Sequence, residues 1–211
     1  MDSDAVNNVP AVIIAGGQSR RMGGVEKCLL RLGDSSVLEV LIDRLRKQAE
    51  HIAINSNGDP QWFAGFGLPV IPDSQFLHAG PLAGIATAID WAQRHHPSAT
   101  CCLTVPADTP FIPRTLKSQL ISAAHRQQVD IIYASHGPQH HYLTGLWSTS
   151  IFTALIEFLE NGGRATRDFL AGQKTGSLVF NSVDHGHNPF FNINTPEDLE
   201  IAQAIMTTGN K

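Results

Sequence analysis

Residues 9–15, Val-Pro-Ala-Val-Ile-Ile-Ala, form an uninterrupted apolar run that ends directly on a glycine pair. A strand covered on one face alternates apolar and polar side chains, so a run without alternation calls for cover on both faces. The same grammar recurs down the chain. Residues 51–55, 69–71, 100–105, 129–134 and 142–147 read as strands. Residues 37–49, 60–64, 81–94, 113–127, 151–160 and 167–170 read as helices. Ser35 or Ser36 is placed to cap the first of these helices, Pro81 to open a later one, and Thr195-Pro196 to start the last. Alternating strands and helices of this kind predict an α/β fold: a Rossmann-like three-layer sandwich around a mostly parallel central sheet. No repeat, low-complexity tract or linker divides the chain. Residues 9–207 are therefore expected to form a single domain and residues 1–8 a flexible N-terminus.

Ligands of such sheets gather at the carboxyl ends of the strands. Three informative segments follow strands there: Gly16 to Lys27, Asn55 to Asn57, and Pro106 to Pro110. A net charge of −4 argues against a broad basic face for nucleic acid or anionic membrane, while a small anion needs only a few local cations. The three cysteines, Cys28, Cys101 and Cys102, make no disulfide framework, which favours a reducing compartment. The N-terminus has no signal-peptide pattern. Residues 131–156 lack Asp, Glu, Lys and Arg, but Ser-His-Gly-Pro-Gln-His-His at 135–141 breaks them as a membrane span. A soluble, cytoplasmic protein is expected, with neither nucleic acid nor membrane as partner.

The segment Gly-Gly-Gln-Ser-Arg-Arg-Met-Gly-Gly-Val-Glu-Lys, residues 16–27, brings paired glycines together with Arg20, Arg21 and Lys27. Glycines let backbone amides approach an anion closely, and the cations add charge. A solvated surface turn has the same composition; its place after a buried strand favours phosphate. Two phosphate motifs fail. A Walker loop needs Ser or Thr after Gly-Lys, whereas Lys27 lies between Glu26 and Cys28, and no window fits Gly-x-Gly-x-x-Gly.

The pattern Ile14-Ala15-Gly16-Gly17, Arg21-Met22-Gly23 and Lys27 resembles the signature of sugar-nucleotide-type nucleotidyltransferases. Asp73 with Gly80-Pro81-Leu82-Ala83-Gly84, then Val105-Pro106-Ala107-Asp108-Thr109-Pro110, then Asn192-Ile193-Asn194-Thr195-Pro196-Glu197-Asp198, narrow it to a resemblance to molybdenum cofactor guanylyltransferase. That family implies a nucleotide-diphospho-sugar-transferase-like fold. It also implies transfer of GMP from GTP to the phosphate of molybdopterin or the molybdenum cofactor, with release of pyrophosphate. The resemblance implies GTP-binding roles for Ile14, Ala15, Gly16, Lys27, Asn55, Asp73 and Asp108. Asp108 becomes the ligand of a magnesium cofactor, and molybdenum-cofactor insertion proteins become possible partners.

The residue types suit that reaction, because joining two anions is mostly positioning and charge neutralisation. Amides of Gly16 and Gly17 would hold the triphosphate, with Lys27 and Arg21 as a point charge and a forked charge on it. The acceptor phosphate is already ionised, so no triad or general base is needed. Asp73 is expected to accept a bidentate bond from guanine N1–H and the exocyclic amine; a loop aspartate that bonds its own backbone is the plain alternative. Asn192 and Asn194 are candidates for the pterin or phosphate side, either as a turn or as alternate side chains aimed at one site.

Three rivals stand beside this reading. A cytidylyltransferase acting on the same pterin usually shows Leu-Ala-Ala-Gly where this chain has Ile14-Ala15-Gly16-Gly17, and lacks Gly-Pro-Leu-Ala-Gly. Another sugar-phosphate-type nucleotidyltransferase would want its own sugar-site signals. A non-catalytic nucleotide sensor has no need for both Lys27 and Asp108. Ten histidines raise a zinc reading, but the pairs His95-His96 and His140-His141 each point two ways. Cys28, Trp91 and Trp147 read as core.

Overall fold

In the computed structural model, which describes residues 8–15, 26–73, 80–181 and 187–209, the apolar run becomes the middle of a seven-stranded sheet. The elements run β1 (Ala11–Ile14), β2 (Arg31–Leu32), β3 (Ser35–Ser36), α1 (Val37–Arg46), β4 (Ile52–Asn55), β5 (Val70–Ile71), α2 (Pro81–His95) and β6 (Cys101–Pro106). They continue with α3 (Leu116–Gln127), β7 (Ile131–His136), β8 (Gln139–Ser148), α4 (Phe152–Glu160), α5 (Thr166–Ala171), β9 (Thr175–Val179) and α6 (Pro196–Gly209). The large sheet has the order β5-β4-β1-β6-β8-β7-β9, and only β8 runs antiparallel to its neighbours.

Cover on both faces explains the unalternated strands. Ile13, Leu103 and Val105 pack with Leu38, Leu41 and Leu45 of α1 and with Leu116 and Leu120 of α3. On the other face Val12 and Ile14 meet Ala88, Trp91 and Ala92 of α2. Leu82, Ile85 and Ile89 of α2 also share a cluster with Trp147 and with Leu155, Leu159, Phe169 and Leu170 of α4 and α5. This is the expected three-layer arrangement. A fourth cluster seats α6 against the small β2–β3 ribbon through Leu32, Val37, Phe111, Ile193 and Ala202.

Local chemistry fixes the ends. Ser36, not Ser35, caps α1, in a reciprocal box with Glu39. The helix stops at Arg46, earlier than residue 49. Thr195 accepts from the Asp198 amide at 3.2 Å, and the Asp198 carboxylate accepts from the amides of Asn194 and Thr195 at the head of α6. Before α2, Gly80 takes φ +77°, a backbone conformation open to glycine at no steric cost. The histidine-rich stretch is mostly strand, since β8 begins at Gln139 and β7 ends at His136, leaving Gly137 and Pro138 as the turn. Trp147 and Trp91 are core residues, and the indole N–H of Trp147 donates to Thr104 Oγ1 at 2.8 Å. Among the described residues no helix is long and apolar enough to cross a membrane.

Candidate active site

β5, β4, β1 and β6 lie side by side and parallel, so their carboxyl ends share one rim of the sheet. In register, Ile14 sits between Asn55 on β4 and Pro106 on β6. The Ala15 amide donates to the Asn55 carbonyl at 2.8 Å, and the Ala107 amide to the Ile14 carbonyl at 3.0 Å. These bonds hold the carboxyl ends of β4, β1 and β6 at fixed spacing. Neighbouring strands lie about 4.8 Å apart, so the Asp73 and Asp108 loops, which follow β5 and β6, are separated by roughly 14 Å along the rim.

At the β6 end the chain brings together residues far apart in sequence. The Ile193 amide donates to the Asp108 carbonyl at 3.0 Å, which pins residues 192–194 across the loop after β6. Their side chains then alternate. Asn192 Nδ2 lies 3.5 Å from Asp108 Oδ1, and Asn194 Oδ1 accepts from Lys27 Nζ at 3.1 Å. The segment is neither strand nor turn; it is irregular chain tied down by the buried Ile193. Lys27 stands in a single 3-10 turn, Lys27–Leu29, whose buried Cys28 anchors it to the core. Burial, with Glu26 and Asp108 nearby, pushes the Cys28 thiol up to about 12, so it serves as packing and not as a nucleophile.

Asp108 is half-buried, and loss of hydration holds its carboxyl above the usual range, against the opposing pull of its own backbone, Lys27 and Thr109. A carboxylate whose charge the protein compensates poorly suits a hard divalent cation. Among the described residues no group of three His, Cys, Asp or Glu side chains could form a metal cage. Magnesium asks for less: one or two carboxylates, with waters and substrate phosphates completing the shell.

At the other end of the rim lies a buried polar cluster. Asn55 is fully buried, and its Nδ2 donates to the Ile71 carbonyl at 3.1 Å and to Asp73 Oδ1 at 2.8 Å. Thr87 Oγ1 donates to the same Asp73 oxygen at 2.9 Å. Asn57 grips Asp73 twice: its Nδ2 donates to Oδ2 at 2.8 Å, and its Oδ1 accepts from the Asp73 amide at 2.8 Å. Each carboxylate oxygen offers about two acceptor positions, so Oδ1 is filled and, among the described residues, one position remains on Oδ2. The two-oxygen bond expected from Asp73 thus has one open oxygen here. Thr87 gave no sign in the sequence, being one polar residue within an apolar helix. Asn57 is marked only by its place just after a strand.

Gly84 explains part of the Gly-Pro-Leu-Ala-Gly stretch. A Cβ there would lie 2.6 Å from Asn55 Oδ1 and 3.1 Å from Ile14 Cγ2. Asn55 is held by two hydrogen bonds and yields only by breaking them. Gly84→Ala should therefore destabilise the fold by about 1–3 kcal/mol, read as a lowered Tm in thermal unfolding.

Gly16, Gly17, Arg20 and Arg21 lie outside the described residues. Ile14, Ala15, Lys27, Asn55, Asp73, Asp108, Asn192 and Asn194 all reach this one rim, in two groups centred on Asp73 and Asp108. The His95-His96 pair does not: His51 stacks on His96 at 4.2 Å, at the opposite end of β4, and His95 sits beside Trp91 at 5.8 Å. His140 and His141 stand at the start of β8, which runs antiparallel to β6 and so begins on the rim side, and His141 packs on Phe190 at 4.8 Å.

Residues 11–177 match the MobA-like NTP transferase domain. A protein of Mesorhizobium japonicum named molybdenum cofactor guanylyltransferase is 40% identical over 201 residues, which is 94% of this chain and 96% of its own length. One of the same name from Bradyrhizobium sp. is 38% identical over 207 residues, 97% of this chain and 96% of its own. Among solved structures, the molybdopterin-guanine dinucleotide biosynthesis protein A of Archaeoglobus fulgidus has a TM-score of 0.75 and 22% identity, over 94% of this chain and 99% of that one, a likeness of fold. With the family pattern running through the whole strand-and-helix framework that builds the rim, the chain belongs to the MobA-like NTP transferase domain family.

Proposed function

We propose that this chain transfers GMP from GTP to the terminal phosphate of molybdopterin, or of its molybdenum-loaded form, and releases pyrophosphate. The observation that carries the reading is the junction of Lys27, Asp108, Asn192 and Asn194 at one end of a rim whose other end holds Asn55 and Asp73. A rim of about 14 Å suits a nucleoside triphosphate lying along it, base towards β5 and phosphates towards β6. Relatives named molybdenum cofactor guanylyltransferase over nearly the full length support the choice of substrates.

In this reading an oxygen of the acceptor phosphate attacks the α-phosphorus of GTP. A new P–O bond forms, the bond to the β-phosphate oxygen breaks, and pyrophosphate leaves with that electron pair. Lys27 sets a positive charge against the triphosphate, and Asn194 holds the ammonium in place. Asn192 steadies the Asp108 side. Asp108 would hold magnesium, which when bound supplies charge neutralisation at the phosphates. Arg21 and the amides of Gly16 and Gly17 would join the phosphate contacts from the loop after β1. The acceptor phosphate arrives ionised, so no side chain has to remove a proton from it. The product would pass to proteins that insert the molybdenum cofactor.

Incubation with α-labelled GTP, magnesium and molybdopterin should yield a labelled pterin–GMP adduct with equimolar pyrophosphate. No adduct with any nucleotide would overturn the transferase reading, and an adduct formed equally well from CTP would overturn the choice of guanine.

A further inference from the structure

The polar cluster at the β5 end does more than end a strand. Among the described residues the Asp73 carboxylate keeps a single acceptor position, on Oδ2, the oxygen that Asn57 holds. Asn57 is exposed, and its Nδ2 has given one hydrogen to Asp73, leaving the second N–H free to donate among the described residues. The orientation of the Asn57 amide is fixed without ambiguity. Its carbonyl oxygen accepts from the Asp73 amide and its nitrogen faces a carboxylate, so reversing it would set oxygen against oxygen and N–H against N–H. The two adjacent atoms, Asn57 Nδ2 and Asp73 Oδ2, are 2.8 Å apart. Side by side they offer one donor and one acceptor.

We infer that Asn57 is a specificity-determining residue that reads the lactam edge of the base: its free N–H donates to a ring carbonyl while Asp73 Oδ2 accepts the neighbouring ring N–H. This rests on the proposed placement of the nucleotide, base towards β5. Guanine presents that order at O6 and N1. Adenine and cytosine present the reverse, a ring nitrogen that accepts beside an amine that donates, and would set donor against donor and acceptor against acceptor. Wrong pairing leaves desolvated polar groups unmatched, which costs more than a missing contact. Asn55 and Thr87 are positioning residues here. By filling Oδ1 they fix the carboxylate plane, so that Oδ2 presents its last lone pair in one direction.

The test is calorimetric titration of the full chain with GTP, ITP, ATP and CTP. The wild type should prefer GTP over ATP and CTP, with ITP, which has the same lactam edge, close to GTP. Asn57→Leu should cut the GTP-over-ATP preference by about 10–100-fold through weaker GTP binding, with ATP unchanged. Asn57→Asp, which puts an acceptor where guanine O6 needs a donor, should cut it at least as far. Both variants should remain folded but with a lowered Tm, because each loses hydrogen bonds to the buried Asp73, so the titrations are run well below that Tm; Thr87→Ser should keep the preference that Thr87→Val loses. If both Asn57 variants retain the wild-type preference, or weaken all four nucleotides equally, the inference is overturned while the proposed function stands. If the wild type itself makes no distinction between GTP and ATP, the guanine reading falls, and this one with it.

Discussion

Asp108→Asn should abolish turnover at every magnesium concentration while the protein stays folded. The loss should reach about a thousandfold or more, since a cation at a developing phosphoryl charge supplies several kcal/mol and each 1.36 kcal/mol is tenfold in rate. The fold should survive because the ionised carboxylate is a burden to the unliganded protein. Burial raises its folded-state pKa above the unfolded value, so the folded state holds the proton more tightly. The stability this contributes is present at low pH and is lost as the pH rises from the ordinary aspartate range through the raised one. At neutral pH the neutral amide avoids that cost, and the variant should melt at or above the wild-type Tm. The same shift sets a proton against magnesium at this carboxylate, so at limiting magnesium turnover should fall away at a higher pH than an ordinary aspartate would give, and saturating magnesium should move that limb to lower pH. Steady-state rates across pH and magnesium, with thermal unfolding of both proteins, check all three. Full activity in the variant would refute the metal assignment.

Lys27→Met should lower the rate by at least ~10–100-fold, the worth of one hydrogen bond to a charged group of about 1.5–3 kcal/mol. Methionine keeps much of the side-chain bulk, so the neighbouring turn and the buried Cys28 should stay in place. The change removes a charge that meets Asn194 and acts on Asp108, and it touches no core contact. Affinity for GTP should fall with the rate, because the ammonium is proposed to meet the triphosphate in the bound state as well as in the transition state. Normal rates in the methionine variant would mean that Lys27 belongs to the surface and not to the site.

The parts legible in the sequence are those with a local cause. The apolar run of β1, the Ser36 cap with its Glu39 partner, Pro81 at the head of α2 and Thr195 at the head of α6 each need only near neighbours. What escaped had weak local signals. β9 reads Thr-Gly-Ser-Leu-Val, half-exposed and interrupted by glycine, so it shows no apolar period. β2 and β3 are two residues each, too short for any period. β8 starts three residues before Tyr142 because Gln139, His140 and His141 pair with β7, a cross-strand cause invisible in one strand's composition.

The site divides the same way. A glycine-rich turn after a buried strand marked Lys27 by its residue types, while Asn55, Asp73 and Asp108 were marked chiefly by the family resemblance of their motifs. Which of them meet is a tertiary matter. Lys27 finds Asn194 across 167 positions and Asp108 faces Asn192 across 84, through strand order and the buried Ile193, neither of which is encoded locally. Asp73 shows the division most plainly: the chain supplied a carboxylate, but Asn55, Asn57 and Thr87 converge on it only in the folded sheet and decide how many lone pairs are left for a ligand.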